Sequence, residues 1–168
     1  VKREVGEHDG LVSNFLHNEM TQGVVVTLYA PAGDFYYQES DKPAVLISAG
    51  VGATPIQSML HTLADAGKKE VSYLYACNNA QQHTFKQETA QLIEQQGWQQ
   101  FAWYLDEQAD FTGQMDLSLI ADELPVADAD FYICGPVAFM ESIVKQLESL
   151  AVGRERIHYE VFGPHTYL

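Results

Sequence analysis

Basic residues are scarce in this sequence. Nine lysines and arginines stand against 23 aspartates and glutamates, which gives a formal net charge of −14 at pH 7. Proteins that bind nucleic acid neutralise phosphates with clustered Lys and Arg, so this composition argues against a nucleic-acid partner. We interpret the acidity as a source of solubility.

Cysteine and long apolar runs are scarce as well. The two cysteines, Cys77 and Cys134, are expected to be reduced, as in cytoplasmic proteins. No apolar run approaches the roughly 20 residues that span a bilayer, and no signal-peptide pattern occurs, so we expect a cytoplasmic protein with no membrane partner. The six histidines lack metal-ligand spacing, and we expect no metal site. The chain opens on Val1 without an initiator Met, which favours a piece of a longer protein.

From Ala44 onward, apolar runs alternate with segments of helical periodicity. The predicted strands are Ala44–Ala49, Val71–Ala76, Phe101–Leu105, Phe131–Ile133 and Ile157–Val161. The predicted helices are Pro55–Ala66, Thr84–Gln96, Asp116–Leu124 and Val137–Leu150, with a loop over Glu107–Gln114. This alternation predicts an α/β fold, a doubly wound five-stranded parallel sheet. Right-handed crossovers leave 3-2-1-4-5 as the most economical strand order.

The first 42 residues have a different pattern. Val24–Tyr29 and Phe35–Tyr37 are predicted strands, and Leu11–Glu19 is a predicted short helix. This material is β-rich but too short to close a barrel, so we interpret it as an incomplete β-barrel fragment. The predicted domain boundary separates residues 1–42 from residues 43–168.

Two sharp turns follow predicted strands one and four. Their sequences are Gly50-Val51-Gly52-Ala53-Thr54-Pro55 and Cys134-Gly135-Pro136. In the predicted strand order these turns face each other across one crevice, the usual place for a nucleotide. Gly50 and Gly52 permit unusual backbone conformations and close approaches. Thr54 is a good N-cap, and Pro55 suits the first helical position. The N–H groups and dipole of the following helix favour an anion such as a pyrophosphate, although a plain tight turn has the same composition.

Several further motifs carry a resemblance to a known family. They are Gly10-Leu11-Val12-Ser13, Asn14-Phe15-Leu16-His17-Asn18, Ala30-Pro31-Ala32-Gly33-Asp34-Phe35, Ile47-Ser48-Ala49-Gly50 and Tyr159-Glu160-Val161-Phe162-Gly163-Pro164-His165. With the two turns, they resemble the ferredoxin–NADP⁺ reductase superfamily and, within it, the reductase half of bacterial flavohaemoglobins. The resemblance implies that NAD(P)H passes a hydride to FAD. Electrons then reach haem in a globin domain of the same parent chain, which converts nitric oxide and oxygen to nitrate.

The resemblance also implies roles for individual residues. Gly50, Val51, Gly52, Ala53, Thr54, Pro55, Cys134, Gly135 and Pro136 are expected to bind NAD(P). Ser13, Val161, Phe162, Gly163 and Pro164 are expected to approach FAD. Cys134, near the nicotinamide, and Glu160, which would tune the flavin or haem potential, are the expected catalytic residues, and no metal ligand is implied.

Each of these roles has a structural alternative. Cys134 can be a small apolar filler of a buried strand, and Ser13 can cap a helix. Glu160 can be a solvated acid at a strand end, and Phe162 and Pro164 can be a tail that packs on the sheet.

The choice of nucleotide is expected to depend on the segment after predicted strand two. Residues 77–83 contain no Arg or Lys, which favours NADH over NADPH, but they also contain no acid for a ribose hydroxyl. The family's Arg-x-Tyr-Ser flavin motif and its globin do not occur in the sequence, so haem is expected only in the parent protein and this stretch alone is expected to be inactive. Two alternatives stay open: the reductase component of an oxygenase and a non-catalytic nucleotide-binding domain.

Overall fold

The computed structural model of the chain describes residues 1–6 and 8–162. They form two compact units, Val1–Gly33 and a second that begins at Asp34. Among the helices of these residues, none is long and apolar enough to cross a membrane.

The second unit is built on a six-stranded sheet in which every pair of neighbouring strands is parallel. The strands are β1 (Ala44–Ala49), β2 (Val71–Cys77), β3 (Gln99–Tyr104), β4 (Phe111–Thr112), β5 (Asp130–Cys134) and β6 (Ile157–Glu160). Their order is β4-β3-β2-β1-β5-β6. All five predicted strands therefore form, in the predicted order, and the doubly wound α/β fold is confirmed.

The expected count of five strands is wrong by one edge strand. β4 lies within the segment that was predicted to be a loop, and it pairs with Trp103 and Tyr104 of β3. Two residues are too few for any periodicity to be visible in the sequence. The strand is held by a stack of the Trp103 and Phe111 rings, 4.5 Å between centroids. The Asp110 carboxylate also accepts the Ala102 N–H at 2.8 Å.

Four α-helices are present in the described residues. They are α1 (Leu11–Asn18), α2 (Ala53–Asp65), α3 (Lys86–Gln96) and α4 (Val137–Ser149). The predicted helix Asp116–Leu124 is instead two short 3-10 turns, Leu117–Leu119 and Ala121–Glu123. The Asp116 carboxylate accepts both the N–H and the hydroxyl of Ser118, which favours a local turn over continuous helix.

The helices cover both faces of the sheet. Val45 and Ile47 of β1 pack with Ile143 and Leu147 of α4 on one face. Leu46, between them in sequence, belongs to a cluster on the other face. That cluster includes Ile56, Met59, Leu60 and Leu63 of α2 and Ile93 of α3. With both faces covered, the strand ends are the positions left for a ligand.

The two strands predicted in the first 42 residues do not form. In the described residues, the first strand is β1, while the predicted helix is confirmed as α1. Apolar residues at Val24–Tyr29 suit a strand, but a strand also needs a neighbour for its backbone hydrogen bonds. Val25 and Tyr29 are more than nine-tenths exposed. Phe35 and Tyr37 contact the sheet through their rings rather than through a backbone ladder.

Candidate functional site

The two turns lie side by side at the carboxyl end of the sheet. β1 and β5 are neighbours, and Ser48 pairs with Cys134 at the end of their ladder. A Cβ atom added to Gly52 would overlap the carbonyl of Cys134 and lie 2.7 Å from the Gly135 nitrogen. The predicted meeting of the two turns is therefore direct backbone contact.

The two glycines of the first turn have different reasons to be glycine. Gly52 has an ordinary φ of −58°, so the close approach of the second turn, not its conformation, excludes a side chain. Gly50 has a φ of +53°, which L side chains rarely adopt. No atom of the described residues lies within 4 Å of the position its Cβ would take. The space beside Gly50 is therefore open, while the space beside Gly52 is filled by the protein.

The expectation that Thr54 caps the helix is wrong. The chain passes through a 3-10 turn over Gly50–Gly52, and α2 begins at Ala53, two residues earlier than a Thr54 cap requires. The Thr54 hydroxyl lies in the first turn of α2 and donates to the Val51 carbonyl at 3.0 Å. Pro55 shares that first turn, where a missing N–H is tolerated. The N-terminus of α2 thus has no side-chain cap.

Cys134 and Gly135 bury the second turn against the first. A Cβ on Gly135 would lie 3.2 Å from the Ala49 Cβ and 2.9 Å from the Phe139 ring. The Cys134 side chain is fully buried, and its Sγ lies 3.9 Å from the Glu160 carbonyl oxygen. Burial, with a smaller contribution from the Glu160 charge, raises the pKa of the Cys134 thiol to about 12. The thiol is therefore neutral at neutral pH. Pro136 directly precedes α4.

The last strand brings the predicted flavin residues to the same end of the sheet. Glu160 ends β6 and pairs with Cys134 of β5. Val161 and Phe162 follow, and the Phe162 side chain is 47% exposed. Gly163 and Pro164 lie outside the described residues.

Ser13 belongs to the first unit and is the third predicted flavin residue with a described position. Its hydroxyl accepts the Glu4 N–H at 3.1 Å and donates to the Gly10 carbonyl at 3.2 Å. Gly10, not Ser13, is the N-cap of α1. Within its unit, Ser13 ties the segment before α1 to the first turn of that helix.

Sequence reasoning missed a buried cluster after β2. His83 stacks on the Tyr75 ring with centroids 4.2 Å apart, and its Nδ1 lies 2.7 Å from the Tyr104 hydroxyl. Desolvation, with a smaller contribution from Lys86, lowers the pKa of His83 to about 4. Tyr75 and Tyr104 lie on two different strands, and Tyr104 is 21 residues from His83 in sequence. No local sequence pattern therefore indicates the cluster.

Glu107 was also missed. Its carboxylate accepts the Ala80 N–H at 2.9 Å, which places an acid at the loop after β2, 27 residues away in sequence. The Lys86 ammonium lies 5.7 Å from the centroid of the Tyr104 ring, whose hydroxyl contacts His83 at the end of this segment. The segment 77–83 is therefore not far from charge, although it contains no charged residue of its own.

Comparison with known proteins matches this chain to a family. A family model described as an oxidoreductase NAD-binding domain matches residues 46–145. A flavohaemoprotein of Vibrio cholerae is 61% identical over 170 residues, covering 100% of this chain and 43% of the relative. One from Deinococcus radiodurans is 38% identical, covering 98% of this chain and 42% of the relative. The chain thus spans less than half the length of these curated relatives.

Solved structures agree with this match. The FAD/NAD-binding domain of a nitric oxide dioxygenase from Vibrio cholerae superposes with a TM-score of 0.89 at 60% identity, covering 94% of this chain and 67% of that one. A flavohaemoglobin from Malassezia yamatoensis, with bound FAD and haem, has a TM-score of 0.78 at 24% identity, covering 95% of this chain and 42% of that one. The second match is evidence for the fold alone.

Proposed function

The chain belongs to the family of oxidoreductase NAD-binding domains and is similar to the reductase part of flavohaemoproteins, and we propose that the carboxyl end of its sheet binds a pyridine nucleotide for hydride transfer to FAD. The observation that supports this most is the backbone contact between Gly52 and the Cys134–Gly135 turn. It brings two turns together where strand order reverses, which is the usual nucleotide crevice of such sheets.

In this proposal, Gly50, Val51, Gly52, Ala53, Thr54 and Pro55 hold the pyrophosphate. The space beside Gly50 is open and no side chain caps α2, so the N-terminal dipole of that helix and its N–H groups beyond Ala53 are proposed to attract the anion. Because Thr54 uses its hydroxyl on the Val51 carbonyl, it contributes to the turn's shape and not to capping.

The nicotinamide is assigned to the second turn, Cys134-Gly135-Pro136. The neutral Cys134 thiol adds no charge beside a nicotinamide ring that changes charge in the reaction. Glu160 of the neighbouring strand β6 pairs with Cys134 and is the charged residue nearest to it in that strand pair. We propose that its charge tunes the reduction potential at this site.

FAD is proposed to lie against the segment after β6. When bound, FAD would supply the acceptor for the hydride. The exposed ring of Phe162 fits this use, because a half-exposed aromatic at the end of a strand offers a flat apolar surface. Ser13, Val161, Gly163 and Pro164 remain proposed flavin contacts. In the whole protein, a globin haem would take the electrons for nitric oxide dioxygenation.

NADH is the proposed nucleotide, and the cytoplasm the proposed location. The Glu107 carboxylate at the loop after β2 supports NADH, because an acid there suits a ribose 2′-hydroxyl and repels a 2′-phosphate. Lys86 is the cation nearest that loop in sequence, and its ammonium lies over the Tyr104 ring. Both cysteines are free, as the proposed location requires.

Calorimetric titration of NADH and NADPH into the chain tests this function. We expect NADH to bind more tightly than NADPH, and we expect Gly50→Val to abolish binding because its side chain occupies the anion's space. Gly67→Val is the matched control: Gly67 also has a positive φ, of +68°, and open space around it, but it follows α2 at the helix's other end. Equal NADH binding by folded Gly50→Val and Gly67→Val would contradict the proposal.

A further inference from the structure

The hydroxyl of Tyr75 touches both loops of the candidate nucleotide site. Its oxygen lies 3.4 Å from the Gly50 carbonyl oxygen and 3.2 Å from the Gln82 carbonyl oxygen. It also accepts the Thr84 N–H at 3.2 Å. One side chain therefore joins the turn after β1 to the segment after β2.

The chemistry of the hydroxyl limits how it can serve these partners. A phenol has one proton and accepts through its lone pairs. The single Tyr75 proton is therefore shared between the Gly50 and Gln82 carbonyl oxygens, and the Tyr75 oxygen accepts the Thr84 N–H. Burial raises the pKa of Tyr75, so the proton that makes these bonds is present throughout the neutral range.

The ring of Tyr75 is held so that the hydroxyl has little freedom. Tyr75 is fully buried, and the neutral His83 ring stacks on the Tyr75 ring. His83 is itself fixed by Tyr104 through Nδ1. The hydroxyl position is thus set by packing across β2 and β3 before any ligand arrives.

We propose that Tyr75 is a positioning residue, whose hydroxyl fixes the Gly50 turn relative to the 80–84 segment and so preorganises the site for the ADP half of a dinucleotide. This rests on the proposed function, in which the first turn takes the pyrophosphate. The segment after the second strand is where the adenosine ribose lies in sheets of this kind. Tyr75 lies between these two subsites and touches neither ligand group itself.

Tyr73 provides a matched control on the same strand. It is also a buried tyrosine, two residues earlier and on the same face, and its ring lies 6.2 Å from that of Tyr75. Its hydroxyl lies 3.1 Å from the Ser48 hydroxyl, inside the sheet, and no described contact links it to either loop. Tyr73→Phe and Tyr75→Phe each remove one buried hydroxyl and leave the ring. Any general loss of folding stability from this change is therefore common to the two variants.

The experiment titrates NADH, ADP-ribose and nicotinamide mononucleotide into the parent chain, Tyr75→Phe and Tyr73→Phe. We expect Tyr75→Phe to weaken NADH and ADP-ribose binding by about fivefold to tenfold, the usual worth of one hydrogen bond. Nicotinamide mononucleotide binding should change by less than about twofold, because it lacks the adenosine and the bridging pyrophosphate. Tyr73→Phe should leave all three affinities at the parent values.

Amide hydrogen exchange adds a reading that needs no ligand. In Tyr75→Phe the Thr84 amide loses its acceptor, so it should exchange at least about tenfold faster, while in Tyr73→Phe it should not change. If the parent binds NADH and the two variants bind it equally, the positioning role is overturned and the proposed function stands. If the parent binds no NADH, the proposed function fails, and this inference fails with it.

Discussion

At the carboxyl end of β1 and β5 the backbone of one turn packs directly on that of another, whereas at the amino end of β5 side chains cover the sheet. Gly52 and Gly135 make the first contact possible. Toward the other end, Tyr132 in the middle of β5 is covered by the rings of Phe35, Tyr37 and His158. The difference lies in side-chain size: glycines let two backbones meet at one end, and large rings cover the sheet toward the other.

The two ends also differ in the charge state of their buried ionisable groups. At the amino end, the Asp130 carboxylate accepts from the Lys42 ammonium at 3.3 Å and from the Ser40 hydroxyl at 3.2 Å. At the carboxyl end, burial holds Cys134 and His83 in their neutral forms at neutral pH. Charge is paired where it supports the fold and is absent from the buried groups where an anion is expected to bind.

The largest effect is expected from filling the contact between the two turns. Gly52→Val should lower the free energy of unfolding by about 3 kcal/mol, because the side chain overlaps the Cys134 carbonyl and neither backbone segment can move alone. Urea unfolding measures the change, and Gly6→Val, at an open position without a positive φ, is the control. A loss under about 1 kcal/mol would mean that the turns are not in contact.

The second prediction concerns the amino end. A chain that begins at Lys42 should be less stable by about 2 kcal/mol than one that begins at Asp34. The shorter chain lacks Phe35 and Tyr37 on the Tyr132 ring, and the backbone of Ser40, whose carbonyl accepts from Lys68 at 2.5 Å. Thermal and urea unfolding of both chains give the comparison. Equal stability would show that the aromatic cover is not part of the folded core, and it would favour the predicted boundary after residue 42.

Much of this architecture was predictable because it depends on local pattern. Continuous apolar runs predicted five strands, and parallel connections predicted their order. The meeting of the Gly50 and Cys134 turns then followed, since the carboxyl ends of neighbouring parallel strands lie together. The roles of individual residues in binding stay predictions, because no property of a glycine-rich turn names its ligand.

What the sequence did not predict depends on contacts between distant residues. Glu107 reaches the Ala80 N–H across 27 positions, and β4 is too short to have a period. The N-cap of α2 was predicted at Thr54, but the 3-10 turn over Gly50–Gly52 lets the helix begin at Ala53. This start is an effect of packing and not of helix propensity. The contacts of the Tyr75 hydroxyl were not predictable either, because alternation shows which face of the sheet a residue takes and not what its hydroxyl meets.

The third prediction concerns pH and sharpens the contrast in charge. The pKa of His83 is lowered in the folded protein to about 4 from an ordinary 6.5, so the unfolded chain binds more protons between these values. Stability should therefore fall as pH decreases from 7 to 4, by up to about 2 kcal/mol from this residue, and level off below the folded pKa. Tyr75 and Tyr104 contact the ring, and Lys86 is the charge that acts on it.

Urea unfolding at a series of pH values measures this contribution. In His83→Phe, which keeps a ring to stack on Tyr75, the slope between pH 7 and 4 should be shallower than in the parent. The pKa of His158 is also lowered by burial, so His158→Phe should remove a separate part of the slope at the amino end. An unchanged slope in His83→Phe would show that His83 is not buried in a neutral form.

The smallest effect is expected from Cys134→Ala, which removes the one buried ionisable group in the second turn. Its stability cost should be about 1 kcal/mol, for a small loss of packing around a fully buried side chain. NADH affinity should stay within about twofold of the parent, because the neutral thiol is proposed to line the nicotinamide and not to hold phosphate. Calorimetric titration measures this, with Gly50→Val as the variant expected to lose binding. A tenfold loss in Cys134→Ala would place binding energy in the second turn and would reverse the assignment of the two turns.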